Sequence, residues 1–199
     1  NVEVFSKYRG SLYSNPHFES GTYRDGKTSI VALAGGQYGN AASDVGSVFV
    51  PNTVTLDDTL IAELNASAYL DVAVPGALKT NPTIIAMYFI SERGGTTYYP
   101  NVSMAEAVPA DFDPRTGLFY TAAAPKNNPG RGVVWTAPYQ DPAGTGLIVT
   151  SAAPVYDAQG TFRGVFAADV QLAKISTQIG AIQVGQSGFA FLIDREGRL

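Results

Sequence analysis

The sequence predicts an α+β fold: a central antiparallel sheet of about five strands, flanked by helices and preceded by an N-terminal helical segment. Three observations predict it. Apolar, β-branched and aromatic runs of strand length occur at 84–90, 96–99, 133–139, 147–156 and 162–169, and turns rich in Gly, Pro and Asp separate them. Leu60, Ile61, Leu64 and Ala68, and later Leu172, Ile175, Ile179 and Ile182, repeat at helical spacing. The chain also carries 21 Gly and 12 Pro in 199 residues, which suits short elements joined by many loops.

Val2, Phe5, Tyr8 and Leu12 fall about one helical turn apart and predict a helix over 1–14. Residues 15–27 read as a loop, with His17 on its surface. Ile30 to Ala34 predict a short helix stopped by Gly35-Gly36, because each glycine weakens a helix by about 1 kcal/mol. Ser47 to Pro51 reads as a short strand or an extended approach to the next helix. Thr55 with Asp58 has the spacing of a capping box for a helix over 56–72 that Pro75-Gly76 ends. The run 84–90, apolar on both faces, predicts a central strand, and Gly94-Gly95 turns it into 96–99 as a hairpin. A connecting loop spans 103–111.

Asp113-Pro114 supplies an N-cap acceptor and a proline at the first helical position, so a helix is expected from there to 122–124. Strands at 133–139, 147–156 and 162–169 follow as a meander. A closing helix over 172–182 is expected to pack one face on the sheet. Phe189 to Ile193 then begins a strand without a partner of its own, either an added edge strand or the opening of a second domain, before Asp194-Arg-Glu-Gly-Arg.

Composition excludes several functions. With 45% hydrophobic and 15% charged residues the chain is a folded one. A net charge of -4 and the absence of any basic run argue against a nucleic-acid partner. One histidine and no cysteine leave no metal constellation, triad or thiol nucleophile. No phosphate loop or nucleophile elbow is present, and the spacing of Asp111 and Asp113 does not fix a carboxylate pair. No enzyme activity and no cofactor are therefore expected. No apolar stretch reaches the roughly 20 residues that cross a bilayer. Asn65-Ala-Ser and Asn101-Val-Ser match the glycosylation pattern.

The element order is that of a PAS-like sensor fold, and particular segments carry a closer likeness. Asp113-Pro-Arg-Thr-Gly-Leu-Phe-Tyr120, Val134-Trp-Thr-Ala-Pro-Tyr-Gln-Asp141, Pro154-Val-Tyr-Asp157 and Gly164-Val-Phe-Ala-Ala-Asp169 occur in order at sensible spacing. Together they make the chain, from about Val48 to Leu199, resemble the double Cache extracytoplasmic sensor domains of bacterial and archaeal receptors. The resemblance implies a membrane-distal ligand-binding module over 1–182 and, from Gly188 onward, the opening strand of a membrane-proximal module over 183–199. It implies a piece of a larger receptor, with membrane anchors outside this segment and an output of kinase, chemotaxis, cyclase or phosphatase type. Homodimerisation through the N-terminal helix is a further expectation.

In family members that bind amino acids, an Arg two positions before an aromatic pair holds the carboxylate, and an Asp at the end of the last strand takes the ammonium. Here the aromatic pair is Phe119-Tyr120, and the Arg position holds Gly117. Asp169 matches the ammonium-binding Asp, and Tyr139 with Asp141 matches the strand-end pair. The expected ligand-binding residues are therefore Tyr88, Phe119, Tyr120, Trp135, Tyr139, Asp141 and Asp169, and an amine or amino-acid-like small molecule is the expected partner. Each has a plainer reading. Asp169 stands where it would cap the closing helix, Asp141 lies in an Asp-Pro turn, and Trp135 suits a core. A protein-interaction or dimerisation module with a vestigial pocket is the alternative function.

Overall fold

The computed structural model describes residues 1–14, 23–142, 144–184, 187–191, 193 and 197. His17 and the 15–22 loop lie outside them, as does the Asp194-Arg-Glu segment. Among the described residues, nine strands form one antiparallel sheet in the order β1-β2-β3-β5-β4-β9-β8-β6, with β7 also paired to β8. These are β1 (Val31–Ala32), β2 (Tyr38–Gly39), β3 (Ser47–Val50), β4 (Ile84–Ser91), β5 (Thr96–Tyr99), β6 (Val134–Trp135), β7 (Tyr139–Gln140), β8 (Leu147–Tyr156) and β9 (Phe162–Gln171). The expected strands thus form the body of the sheet, and short pairs extend both edges.

β4 is central, between β5 and β9, and its alternation divides the molecule. Tyr88 and Ile90 point to one face, with Tyr98, Val165 and Ala167, beneath the 100–124 segment. Met87 and Phe89 point to the other, with Phe166 and Ala168, against α1 (Val2–Leu12). A strand buried on both faces cannot alternate polar and apolar residues, which is why its sequence reads as an unbroken apolar run.

The N-terminal helix is held by three contacts. Phe5 stacks on Phe166 at 5.3 Å. Ser6 donates a 2.7 Å hydrogen bond to the Pro154 carbonyl. Arg9 is fully buried, its guanidinium 4.3 Å from the ring centres of both Tyr13 and Phe89, with Nε bonded to Ser67 Oγ at 3.0 Å and Nη2 to the Glu63 carbonyl at 3.1 Å. These attachments are tertiary, so the helix shows only faintly in the sequence.

Several sequence expectations are corrected. Residues 30–36 form no helix: β1 and β2 make a hairpin there, because Gly36 at φ +82° lets the chain turn back. A four-residue helix, α2 (Gly26–Ser29), precedes it. The helix expected over 56–72 is α3 (Asp58–Ser67), which tightens into a 3-10 turn over Ala68–Val72. Its cap is Asp57, which accepts from the Leu60 amide at 2.8 Å, so the Thr55–Asp58 box is not used. Pro75 does not end a helix but lies in the first turn of α4 (Val74–Thr80), where its missing N–H is harmless. The 103–111 connection contains α5 (Met104–Ala107).

The segment after Asp113 also departs from expectation. Asp113 does cap it, accepting from the Arg115 amide at 3.0 Å, but Pro114–Thr116 is a 3-10 turn and Gly117 is extended before α6 (Leu118–Thr121) begins. The strand expected over 133–139 is split into β6 and β7. Between them Thr136 Oγ1 accepts from the Thr150 amide, and Pro138 has no donor for the ladder. The closing helix α7 (Leu172–Gly180) is amphipathic and lies against β8 and β9, with Leu172, Ile175 and Ile179 half-buried and no residue fully buried. β11 (Gly188–Phe189) pairs with β10 (Gln183–Val184) as a separate two-stranded sheet, so the last strand has a partner. Both glycosylation matches are tied into the fold, and Asn65 is buried. Asn65 Oδ1 accepts from the Gly26 amide, and Asn101 Nδ2 donates to the carbonyls of Ala41 and Asp44.

Gly10 offers a test of α1 docking. A Cβ there would lie 2.2 Å from the Tyr156 carbonyl oxygen, a backbone atom that cannot step aside. Alanine gains about 1 kcal/mol of helix propensity. The clash outweighs it, so Gly10→Ala should destabilise the fold by on the order of 2 kcal/mol in urea titration; a stabilised variant would contradict this packing.

Candidate functional site

Asp169 sits near the end of β9, opposite Thr150 of β8 and Ala86 of β4. Strand alternation turns it to the face that carries Ala167 and Val165, where it is 3% exposed. Two hydroxyls reach the same oxygen. Thr150 Oγ1 donates to Asp169 Oδ1 at 2.6 Å and Tyr88 Oη at 2.9 Å. Because the single Thr150 proton is used there, Tyr139 Oη donates to Thr150 Oγ1, at 2.5 Å. A relay Tyr139–Thr150–Asp169–Tyr88 thus joins β7, β8, β9 and β4.

Burial pushes the Asp169 carboxyl up to about 7; the Thr150 and Tyr88 hydrogen bonds work against that rise, and the neighbouring Asp141 charge adds to it. Burial and the nearby Asp169 charge hold the Tyr88 phenol well above its ordinary value, so it stays neutral and acts as a donor.

Above the relay lies a cavity lined by aromatic and apolar side chains, among them Tyr98, Met104 and Phe112, with Asp169 and Asp141 as its acidic members. The cavity is partly open and leaves room of about 30 Å³, space for two or three waters. Of the seven residues expected from the sequence, Tyr88, Phe119, Tyr139, Asp141 and Asp169 meet at this cavity. Asp141 also serves its turn, bonding the Thr145 hydroxyl and amide.

Two residues are placed elsewhere. Tyr120 is buried beside Phe119, but one helical position turns it toward Phe162, 6.2 Å away and edge-on, and out of the cavity lining. Trp135 is 62% exposed. Its register partner is Ser151, while Val134 pairs with Ala152 on the cavity side, so alternation carries the indole to the opposite face. It belongs neither to the core nor to the site. Asp169 is no helix cap either, since Gln171 occupies that position without a side-chain bond.

Tyr98, Thr96 and Thr150 were not expected. The hairpin register signals the first, because Tyr98 pairs directly with Tyr88 and their rings stack at 5.3 Å. Thr96, whose buried hydroxyl has no hydrogen-bond partner, follows two residues earlier on the same face. Thr150 needed knowledge of the β8–β9 pairing.

Among the described residues the cavity lining contains no Arg, Lys or His. Arg115 is held bidentate by Asp113 and also donates to the Glu92 carbonyl at 2.9 Å. Arg131 stacks on Tyr156 at 4.1 Å. Among the described residues no cluster of acidic or His side chains could hold a metal ion, and no helix is long and apolar enough to cross a membrane.

The family model of the Cache domain matches residues 52–199. The chain belongs to the Cache domain family. It is an extracytoplasmic sensor domain of the double Cache kind, as the sequence segments implied. Among similar proteins, the methyl-accepting chemotaxis protein McpC of Bacillus subtilis is 34% identical over 123 residues, 61% of this chain and 18% of its own. The methyl-accepting chemotaxis protein PscA of Pseudomonas syringae is 37% identical over 91 residues, 46% of this chain and 14% of its own. The chain therefore spans under a fifth of these relatives. Among solved structures, the ligand-binding domain of the Pseudomonas fluorescens chemoreceptor CtaA in complex with L-serine is 27% identical, with a TM-score of 0.47 over 63% of this chain and 52% of that one. The PctC domain of Pseudomonas aeruginosa in complex with GABA gives 27% and 0.47 over 59% and 49%.

The Asp169 environment makes stability depend on pH. The folded carboxyl titrates at about 7 against an ordinary 3.8, so the folded chain holds a proton that the unfolded chain has lost, and stability falls as pH rises between those values. Asp169→Asn should therefore raise the melting temperature above pH 7, by the equivalent of about 4 kcal/mol, with the gain vanishing near pH 4. Melting curves across that range check it; a pH-independent effect would mean that Asp169 does not titrate as described.

Proposed function

We propose that this chain is the ligand-binding part of a transmembrane chemotaxis-type receptor and that its ligand is a small primary amine without a carboxylate. The observation that carries the reading is a buried carboxyl walled by phenols in a cavity whose lining, among the described residues, offers no cation. An incoming ammonium would donate charge-assisted hydrogen bonds to the carboxylate and lie against the rings of Tyr88, Tyr139 and Phe119. A ligand carboxylate would meet the Asp169 carboxyl with no Arg, Lys or His among the described residues of the lining. The module is read as non-catalytic, its ligand acting by preferring one of two arrangements.

The proposal takes residues 1–182 as the membrane-distal module and 183–199 as the opening of a membrane-proximal one, with β10 and β11 forming their own sheet. It also includes pairing of two copies through α1, on which Val4 is 67% exposed. The small room favours a second reading, a partner-binding module with a vestigial pocket.

Amine binding selects the ionised form of Asp169 and so expels its proton. Calorimetry of methylamine in two buffers of different ionisation heat should detect proton release near pH 7, with affinity weakening about tenfold per pH unit below it. Asp169→Asn should abolish both. Methylamine that binds this variant unchanged would end the amine reading, and no amine response from the wild-type chain would favour the second.

A further inference from the structure

Gly117 has φ -68° and ψ 152°, backbone that any residue adopts, so conformation does not call for glycine there. Space does. A Cβ at this position would stand 2.3, 2.5 and 2.8 Å from three carbons of the Phe119 ring, closer than carbon atoms approach without contact. The same ring meets Tyr88 edge-on at 5.8 Å and Tyr139 at 6.2 Å, and it lines the cavity. Phe119 is thus held between bare backbone on one side and the tyrosines of the Asp169 relay on the other.

We propose that the Gly117–Phe119 pair sets the size limit of the ligand. This rests on the reading of the cavity as the ligand site, though not on the ligand being an amine. Missing side-chain volume at 117 lets the ring lie back from the tyrosines, and the ring in turn leaves room for about 30 Å³. A methyl group on residue 117 pushes the ring toward Tyr88 and Tyr139 and closes that room. Removing the ring opens it along the 117 backbone. Residue 117 therefore acts on the guest through Phe119 and is a positioning residue, whereas Phe119 touches the guest.

The test uses the 199-residue chain, the variants Gly117→Ala, Phe119→Ala and the double variant, and Phe119→Leu as a milder opening that keeps the core filled. Xenon under pressure, followed by its NMR shift, reports room irrespective of charge. Methylamine and butylamine, titrated calorimetrically, report guest size. Phe119→Ala and Phe119→Leu should bind xenon and raise butylamine affinity relative to methylamine at least tenfold. Gly117→Ala should weaken methylamine tenfold or more in the wild-type background and change it less than twofold once the ring is gone. That loss of effect separates steric displacement from general damage. An equal penalty in both backgrounds, or an unchanged butylamine-to-methylamine ratio in both ring variants, overturns the proposal. Xenon uptake by the ring variants without amine binding by any form upholds the size limit and removes the amine reading; proton-linked methylamine binding with an unchanged size ratio does the reverse.

Discussion

A carboxyl group taken out of water and given only hydroxyl donors is the constraint around which this domain is arranged. Among the described residues no ammonium or guanidinium lines the cavity beside Asp169; Thr150 and Tyr88 supply its hydrogen bonds. Neutral donors offset only part of the loss of hydration, so the group is left near the point of taking up a proton. Every other feature of the site follows from supporting that arrangement. β8 must pair with β9 to bring Thr150 alongside, and β4 must pair on the other flank to bring Tyr88. The aromatic wall then shuts out the water that would relieve the burial.

The body of the sheet and this site's acidic centre could be read from the sequence because both follow local rules. Runs of strand length, Gly-rich turns and a β4 segment apolar on both faces need no tertiary knowledge. The errors arise where a single residue's backbone or a distant contact decides. Gly36 turns a short apolar stretch back on itself as a hairpin. Gly117 interrupts a helix that Asp113 and Pro114 had correctly begun. The N-terminal helix is faint because Arg9, fully buried between two rings, replaces the apolar residue that a periodicity search looks for.

Site residues divide along the same line. Tyr88, Tyr139, Asp141 and Asp169 lie in or beside strands whose alternation could be counted. Trp135 is displaced because a break at Thr136 to Pro138 lets β6 and β7 pair independently with β8, so parity before the break says nothing about parity after it. Tyr120 differs from Phe119 by one position on a short helix, and which of the two would face the tyrosines was not decided by their types.

β4 also carries the two attachments that matter most on neighbouring residues. Tyr88 bonds Asp169 on one side, while Phe89 lies against the Arg9 guanidinium on the other. Sliding the strand by a single residue would exchange them, placing a phenol under the helix and a bare phenyl ring before the carboxyl. A change of the β4–β9 register would therefore disturb the Asp169 hydrogen bond and the helix anchorage together. Side chains on the cavity surface of β4 can be exchanged without touching the helix anchorage, because alternation keeps the two sets on opposite faces.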